Sequence, residues 1–184
     1  MRTNDLTVQR IRVPAGFLFG LVFLIYSRPL LYSLVAGLLV AVVGIGLRIW
    51  AAGHLEKWKR LAVGGPYQFT RNPLYLGSFL IGVGFTLASS RLGLCVCFLL
   101  LFILVYRPVM KLEEKELRKL YGADYQRYKE RVPLFSPGRP FPTSEGPGNS
   151  SFAWKRVWKN REYNSILGYL GLSLFLYWRL ICFI

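Results

Sequence analysis

The chain has 184 residues, of which 53% are hydrophobic, and its formal net charge is +15. The apolar residues fall in long blocks, which excludes an ordinary soluble domain. The basic residues flank these blocks, and membrane topology with anionic lipid headgroups explains that pattern more simply than nucleic acid does.

The sequence predicts an all-α fold, a polytopic membrane helical bundle with about five transmembrane helices and cytoplasmic amphipathic segments. The predicted spans are residues 13–27, 30–52, 74–89, 92–109 and 165–184. The first span follows a short basic arm and has no small-residue cleavage site after it, so we expect a retained helix. The predicted parts are a membrane core (1–133), a Pro/Gly/Ser-rich linker (134–151), and an interfacial helix with the last span (152–184).

The distribution of charge predicts the orientation of the spans. With the N-terminus in the cytoplasm, 21 of the 24 Lys and Arg residues lie on the cytoplasmic side. This is the positive-inside pattern, and five spans then place the C-terminus outside. We expect an integral protein of a bacterial inner membrane or the endoplasmic reticulum. Two stretches would face the cytoplasm: the first polar block (residues 64–77) and the second polar block (residues 113–133).

The first polar block carries more donors and acceptors than a turn between helices needs. Gly64-Gly65-Pro66 predicts a turn, and a dense polar set follows it. Aromatic anchoring at a membrane surface would equally account for Tyr67 and Tyr75. Arg71 suits a bidentate grip on a carboxylate, and it also suits a contact with lipid headgroups.

The second polar block opens with two adjacent carboxylates, Glu113 and Glu114. Such a pair suits a cationic ligand, for example an amino group or a sulfonium. The structural alternative is a solvated helix face on which the two glutamates pair with the Lys and Arg residues just after them, which is the commoner fate. Gly122 is predicted to end the amphipathic helix 111–121.

Two other features are candidates with strong structural alternatives. Gly44 and Gly46 lie in the second span, where close helix packing is favoured over a notch for a flat ligand such as an adenine ring. His54 is the single histidine. It is a candidate base, although a lone histidine at a helix end more often caps the helix or lies at an interface. The three cysteines lie inside apolar runs and predict neither a disulfide framework nor a metal site.

Four motifs stand in a fixed order in the middle of the chain. They are Gly65-Pro66-Tyr67, Arg71-Asn72-Pro73-x-Tyr75-x-Gly77, Glu113-Glu114-x-x-Leu117 and Tyr121-Gly122-x-x-Tyr125-x-x-Tyr128-x-x-Arg131-Val132-Pro133. Together, over roughly Gly44 to Pro133, they resemble the integral-membrane isoprenylcysteine carboxyl methyltransferase and phospholipid methyltransferase superfamily. Asn72 stands where the isoprenylcysteine enzymes carry a histidine, and this departure does not favour a prenylcysteine acceptor.

The resemblance implies an S-adenosylmethionine pocket between the last core helices and the cytoplasmic segments, with a methyl acceptor that enters from the bilayer. The implied cofactor-binding residues are Gly44, Gly46, Tyr67, Arg71, Asn72, Pro73, Tyr75, Gly77, Glu113 and Glu114, and the catalytic candidates are Arg71, Glu114 and His54. We therefore expect methyl transfer to a lipid or lipid-linked amine, carboxylate or thiol at the cytoplasmic membrane face, without a metal and without nucleic acid.

Two alternatives stand beside the methyltransferase prediction. Membrane sterol reductases have a similar loop and tail and use NADPH, but they would need several basic residues around the adenosine 2′-phosphate. The other alternative is a non-enzymatic membrane protein that binds a partner or anionic lipid through its basic cytoplasmic face.

Overall fold

The structure is a computed structural model that describes residues 3–56, 59–135, 137–142 and 151–182, with the backbone alone for residues 3–13. Its helices are α1 (Thr3–Tyr26), α2 (Leu31–His54), α3 (Pro73–Ala88), α4 (Leu92–Arg131), α5 (Trp154–Lys159) and α6 (Tyr163–Cys182). A short 3-10 helix, Gly65–Gln68, lies between α2 and α3. These stretches contain no β-strand, and the all-α prediction is confirmed. Residue 136 and residues 143–150 of the predicted linker lie outside the described residues.

Within the residues that the structure describes, three of the five predicted spans are long and apolar enough to cross a membrane: α2, α4 and α6. The other two are shorter, since the apolar part of α1 runs from Pro14 to Tyr26 and α3 has 16 residues. Helix α4 has 40 residues. Its apolar residues are concentrated in the part before Lys111, and only that part is suited to a bilayer. Glu113 and Glu114 are outside that part.

The chain forms two compact units, each assembled from separate stretches. The first unit contains Met1–Val42, Phe79–Leu112 and Gly168–Ile184, and the second contains Val43–Ser78 and Glu113–Leu167. Every candidate site residue of the sequence belongs to the second unit.

Backbones of α2 and α3 touch in the first unit. A Cβ atom on Gly37 would lie 2.3 Å from the Gly84 carbonyl oxygen, and one on Gly84 would lie 2.5 Å from the Gly37 carbonyl oxygen. Only glycine permits this approach, which is the small-residue packing of membrane helices. A Cβ on Gly82 would lie 2.0 Å from the Phe98 ring. Arg179 of α6 donates hydrogen bonds to the carbonyl groups that end α1, with Ser27 at 2.7 Å.

The second unit has its own apolar core. It consists of Leu61, Val63, Tyr125, Tyr128, Val132 and Phe141. The core ties the first polar block to the second, because the Tyr128 hydroxyl donates a 2.6 Å hydrogen bond to the Tyr67 carbonyl oxygen. The amide of Phe141 donates a 3.0 Å hydrogen bond to the carbonyl of Gln68.

Gly122 breaks α4 within this unit. Its φ of 50° and ψ of −119° are not helical, and a positive φ of this kind favours glycine. The predicted helix end at Gly122 is therefore confirmed, but the chain resumes a helix at once and continues to Arg131. The break turns this last helical segment, so that Tyr125 and Lys129 reach side chains near residue 114.

Candidate functional site

The first polar block is fixed to the chain that follows α4. The Arg71 amide donates a 3.0 Å hydrogen bond to the Pro133 carbonyl, and the Asn72 side-chain amide donates one of 2.9 Å to the Leu134 carbonyl. Pro73 then begins α3 as its first residue, a position where its missing N–H costs little. The Asn72 side chain thus anchors the turn that carries Arg71 to the chain beyond α4.

Arg71 lies among side chains of the second polar block. Its side chain is only 10% exposed, and Nη1 lies 3.3 Å from Glu114 Oε2. Nη1 also donates to the Tyr125 hydroxyl at 3.3 Å. The buried Nε has no hydrogen-bond partner among the described residues. A buried donor without a partner costs about 1–3 kcal/mol, so the Nε–H is a position where an anionic ligand group would be stabilised.

The two adjacent glutamates have different partners. Glu114 receives Arg71 on Oε2 and the Lys129 ammonium on Oε1. Glu113 Oε2 accepts a 3.0 Å hydrogen bond from the Tyr75 hydroxyl. The alternative predicted from the sequence, pairing with the Lys and Arg residues just after them, is therefore wrong for Glu114, whose cations come from distant positions.

Glu114 forms a cluster with Arg71, Tyr125 and Lys129. The electrostatics of this cluster keep Glu114 charged. Burial acts to raise the pKa of the Glu114 carboxyl, but the hydrogen bond and charge of Lys129 and the charge of Arg71 outweigh it, and the pKa is lowered from its ordinary value of 4.5. Glu114 is therefore a carboxylate at neutral pH. An ionised carboxylate with a low pKa is a good partner for a cation and a weak proton acceptor.

Tyr67 is a buried neutral hydroxyl. Burial raises the pKa of its phenol well above 10.0, and Tyr128 and the negative charges of Glu113 and Glu162 raise it further, while Arg48 opposes them. Tyr67 thus lies within electrostatic range of Glu113 and also of an ion pair formed by Arg48 and Glu162.

That ion pair, between Arg48 and Glu162, was not singled out from the sequence. Arg48 Nε lies 2.8 Å from Glu162 Oε2, and Nη2 lies 2.9 Å from Oε1. Arg48 also donates to Ser78 Oγ at 2.5 Å and to the Leu74 carbonyl at 3.3 Å, both in α3. One signal was available: Glu162 is a lone acidic residue between a basic stretch and an apolar span, where a charge needs a partner.

The two candidate glycines of α2, Gly44 and Gly46, differ in their surroundings. A Cβ on Gly77 would lie 2.8 Å from the Gly44 carbonyl oxygen and 2.5 Å from Arg48 Cγ. Gly44 and Gly77 therefore lie where α2 and α3 meet, which favours the packing interpretation of Gly44. A Cβ on Gly46 would meet nothing within 4 Å, so Gly46 faces open space.

His54 lies in a packed corner at the end of α2. Its Nδ1 is 2.9 Å from the Trp50 carbonyl oxygen, and its ring centroid is 5.8 Å from that of Phe152. Gly65, with φ of 58°, packs so closely that a Cβ there would lie 2.7 Å from the imidazole. These contacts favour the capping interpretation of His54 over a role as base.

The segment around α5 packs against the end of α2. Arg156 pairs with Glu56, and Asn160 Nδ2 donates a 3.0 Å hydrogen bond to the Ala52 carbonyl. In the structure Val157 is buried, whereas Trp154 and Trp158 are 64% and 67% exposed. Within the described ranges, no three His, Cys, Asp or Glu side chains come together as a possible metal site.

The described residues are helical, with apolar helices long enough to span a membrane, and an arginine–carboxylate cluster follows the apolar part of α4. A family model described as phospholipid methyltransferase matches residues 32–124. The chain belongs to this family. The matched region contains Arg71, Glu113 and Glu114, and it ends before Lys129 and Glu162.

Two curated relatives are similar to the chain. The cobalt-zinc-cadmium resistance protein CzcN of Cupriavidus metallidurans is 31% identical over 147 residues, which is 73% of this chain and 66% of that protein. The nickel-cobalt-cadmium resistance protein NccN of Alcaligenes xylosoxydans xylosoxydans is 31% identical over 113 residues, or 60% of this chain and 51% of that protein. The chain thus spans less than two thirds of the length of either relative. No solved structure matches it.

Proposed function

We propose that the protein transfers a methyl group from S-adenosylmethionine to a lipid or lipid-linked acceptor at the cytoplasmic face of its membrane. The observation that carries this proposal is the contact of Arg71 with Glu114, beside Glu113, in a unit where the buried Arg71 Nε has no hydrogen-bond partner among the described residues. One strong anion binder and two carboxylates thus come together from elements about forty positions apart.

The residues present fit S-adenosylmethionine. Its methionyl part carries a carboxylate, an ammonium and a sulfonium, so a ligand site needs one anion-binding group and at least one carboxylate. Arg71 would hold the carboxylate through its Nε–H, which has no partner in the part of the chain that the structure describes. Glu113 and Glu114 would hold the cationic groups. Gly46 would leave room for the flat part of the ligand, because it faces open space.

When bound, the cofactor supplies a methyl group activated by the sulfonium. The chain has to orient the acceptor and exclude water. Tyr67, Asn72, Pro73 and Gly77 would shape the walls, since each is fixed by packing or by backbone hydrogen bonds. A carboxylate or thiolate acceptor needs no base, whereas an ammonium acceptor must first lose a proton. Of the two glutamates, Glu113 would then be the proton acceptor, because two cations lower the basicity of Glu114.

Binding of S-adenosylmethionine, S-adenosylhomocysteine and NADPH to detergent-purified protein tests the proposal by calorimetry. We expect the two sulfur compounds to bind and Glu114→Gln to weaken both at least tenfold. Glu116→Gln is the matched control, because Glu116 lies on the same helix in an exposed pair with Lys119. Binding of NADPH alone would support the reductase alternative, and binding of none of the three would support a lipid-binding or partner-binding protein.

The two curated relatives are named for resistance to divalent metals. We infer that methylation by this protein serves the same physiological context, through a change in membrane lipids. A deletion strain complemented with the wild type should tolerate more nickel, cobalt or cadmium than one complemented with Glu114→Gln. Equal tolerance of the two strains would separate any role in metal resistance from methyl transfer.

A further inference from the structure

Glu114 already has a cation on each of its carboxylate oxygens. Arg71 is on Oε2 and Lys129 is on Oε1. Both oxygens are therefore engaged by groups of the chain itself. A ligand cation that approaches Glu114 must share the carboxylate with one of them or displace it.

Arg71 and Lys129 are held very differently. Arg71 is nine-tenths buried, and both its amide and its guanidinium are hydrogen-bonded, to Pro133 and Tyr125. The Lys129 side chain is 36% exposed. It is a flexible ammonium that water can solvate as soon as it leaves. Of the two cations, Lys129 is the one that can be displaced without breaking the core of the second unit.

The break at Gly122 is what brings Lys129 to Glu114. In an uninterrupted helix, fifteen positions correspond to about 22 Å along the axis, which a lysine side chain cannot span. The non-helical backbone of Gly122 turns the last segment of α4 back. The contact is therefore not an incidental pairing along a helix surface, since it depends on the fold of the unit.

We propose that Lys129 is an affinity-determining residue whose ammonium occupies the cation position of Glu114 until the cationic group of the ligand replaces it. This inference rests on the proposed function, since the ligand is S-adenosylmethionine. The apparent affinity for the ligand is then the intrinsic affinity multiplied by the fraction of molecules in which Lys129 has left Glu114. Removal of the Lys129 charge should thus tighten binding, while removal of the Glu114 charge should weaken it.

The test compares Lys129→Met with Lys119→Met. Lys119 lies on the same helix and pairs with a glutamate, Glu116, but that pair is exposed and separate from the cluster. Both substitutions remove one positive charge, so any effect of net charge is shared. We expect Lys129→Met to lower the dissociation constant for S-adenosylmethionine about three- to tenfold, and Lys119→Met to leave it unchanged.

S-adenosylhomocysteine identifies the group that replaces Lys129. It keeps the ammonium but has no sulfonium. An equal gain in affinity for both compounds in Lys129→Met assigns the position to the ammonium. A gain confined to S-adenosylmethionine assigns it to the sulfonium. Either result supports the displacement. Unchanged or weaker binding of S-adenosylmethionine in a folded Lys129→Met protein overturns it, and Lys129→Gln repeats the test if the methionine variant does not fold.

A second readout follows Lys129 itself. Reductive ¹³C-methylation labels the lysines, and the Lys129 resonance is assigned by its loss in Lys129→Met. We expect this resonance to shift in Glu114→Gln and on saturation of the wild type with S-adenosylhomocysteine. A resonance that shifts in Glu114→Gln but not under saturating ligand overturns the displacement alone. If the wild type binds neither sulfur compound, the proposed function fails and the inference fails with it.

Discussion

Arg48 and Glu162 are 114 positions apart in the chain and are joined by two hydrogen bonds, with Nε 2.8 Å from Oε2 and Nη2 2.9 Å from Oε1. The Glu162 side chain is 5% exposed, and Ser165 Oγ donates to the same carboxylate at 3.2 Å. Through this pair, residues beyond the region matched by the family model hold α2 and the start of α3 in the unit that carries the candidate site.

We predict that Glu162→Ala destabilises the protein by about 3–5 kcal/mol, because it leaves the Arg48 guanidinium largely buried without its counter-charge. Thermal unfolding in detergent measures the change. The double variant Arg48→Met with Glu162→Met should recover much of the loss, since neither charge is then left alone. A double variant less stable than Glu162→Ala would contradict this account.

We predict that Gly122→Ala destabilises the second unit by about 1–2 kcal/mol, because an L-residue is strained at a φ of 50°. The same substitution should also weaken S-adenosylmethionine binding, since it disturbs the segment that carries Tyr125, the hydrogen-bond partner of Arg71. Gly93→Ala is the matched control in the same helix. Gly93 has open space around its Cβ position, and alanine there should be neutral or stabilising. Equal unfolding temperatures for the two variants would refute the role of the Gly122 backbone.

The sequence predicted the all-α membrane fold and, through the resemblance, named both Arg71 and Glu114. The long apolar runs predict the fold, and the order and spacing of the motifs indicate the two residues, because both are patterns within short stretches of sequence. The partners of Glu114 were not predictable in this way. Lys129 reaches Glu114 because the helix resumes after Gly122 in a new direction, and the sequence signalled only the break. Arg48 and Glu162 pair across 114 positions, and no local pattern encodes such a distant contact.

We predict opposite outcomes for alanine at Gly77 and at Gly46. A Cβ on Gly77 would lie 2.8 Å from the Gly44 backbone oxygen, which cannot give way as a side chain can, so Gly77→Ala should lower both the unfolding temperature and the yield of folded protein. Gly46→Ala should fold normally, because its Cβ position is open. If Gly46 leaves room for the ligand, Gly46→Ala binds S-adenosylmethionine more weakly while its stability is unchanged. Normal binding by Gly46→Ala would remove Gly46 from the site.

The lowered pKa of Glu114 predicts that this residue stabilises the fold less as the solution becomes acidic. Because the pKa of this carboxyl is lower in the folded protein than its ordinary value of 4.5, ionised Glu114 stabilises the fold fully above the pKa of the unfolded chain. That stabilisation is lost as the pH falls through the folded-state pKa. The difference in unfolding temperature between wild type and Glu114→Gln should therefore be constant near neutral pH and shrink below about pH 4.

The exposed Glu116→Gln should show a much smaller difference, because exposed pairs contribute little. A difference between wild type and Glu114→Gln that grows as the pH falls would mean that Glu114 is protonated in the folded protein, and its pairing with Arg71 and Lys129 would then have to be reassigned.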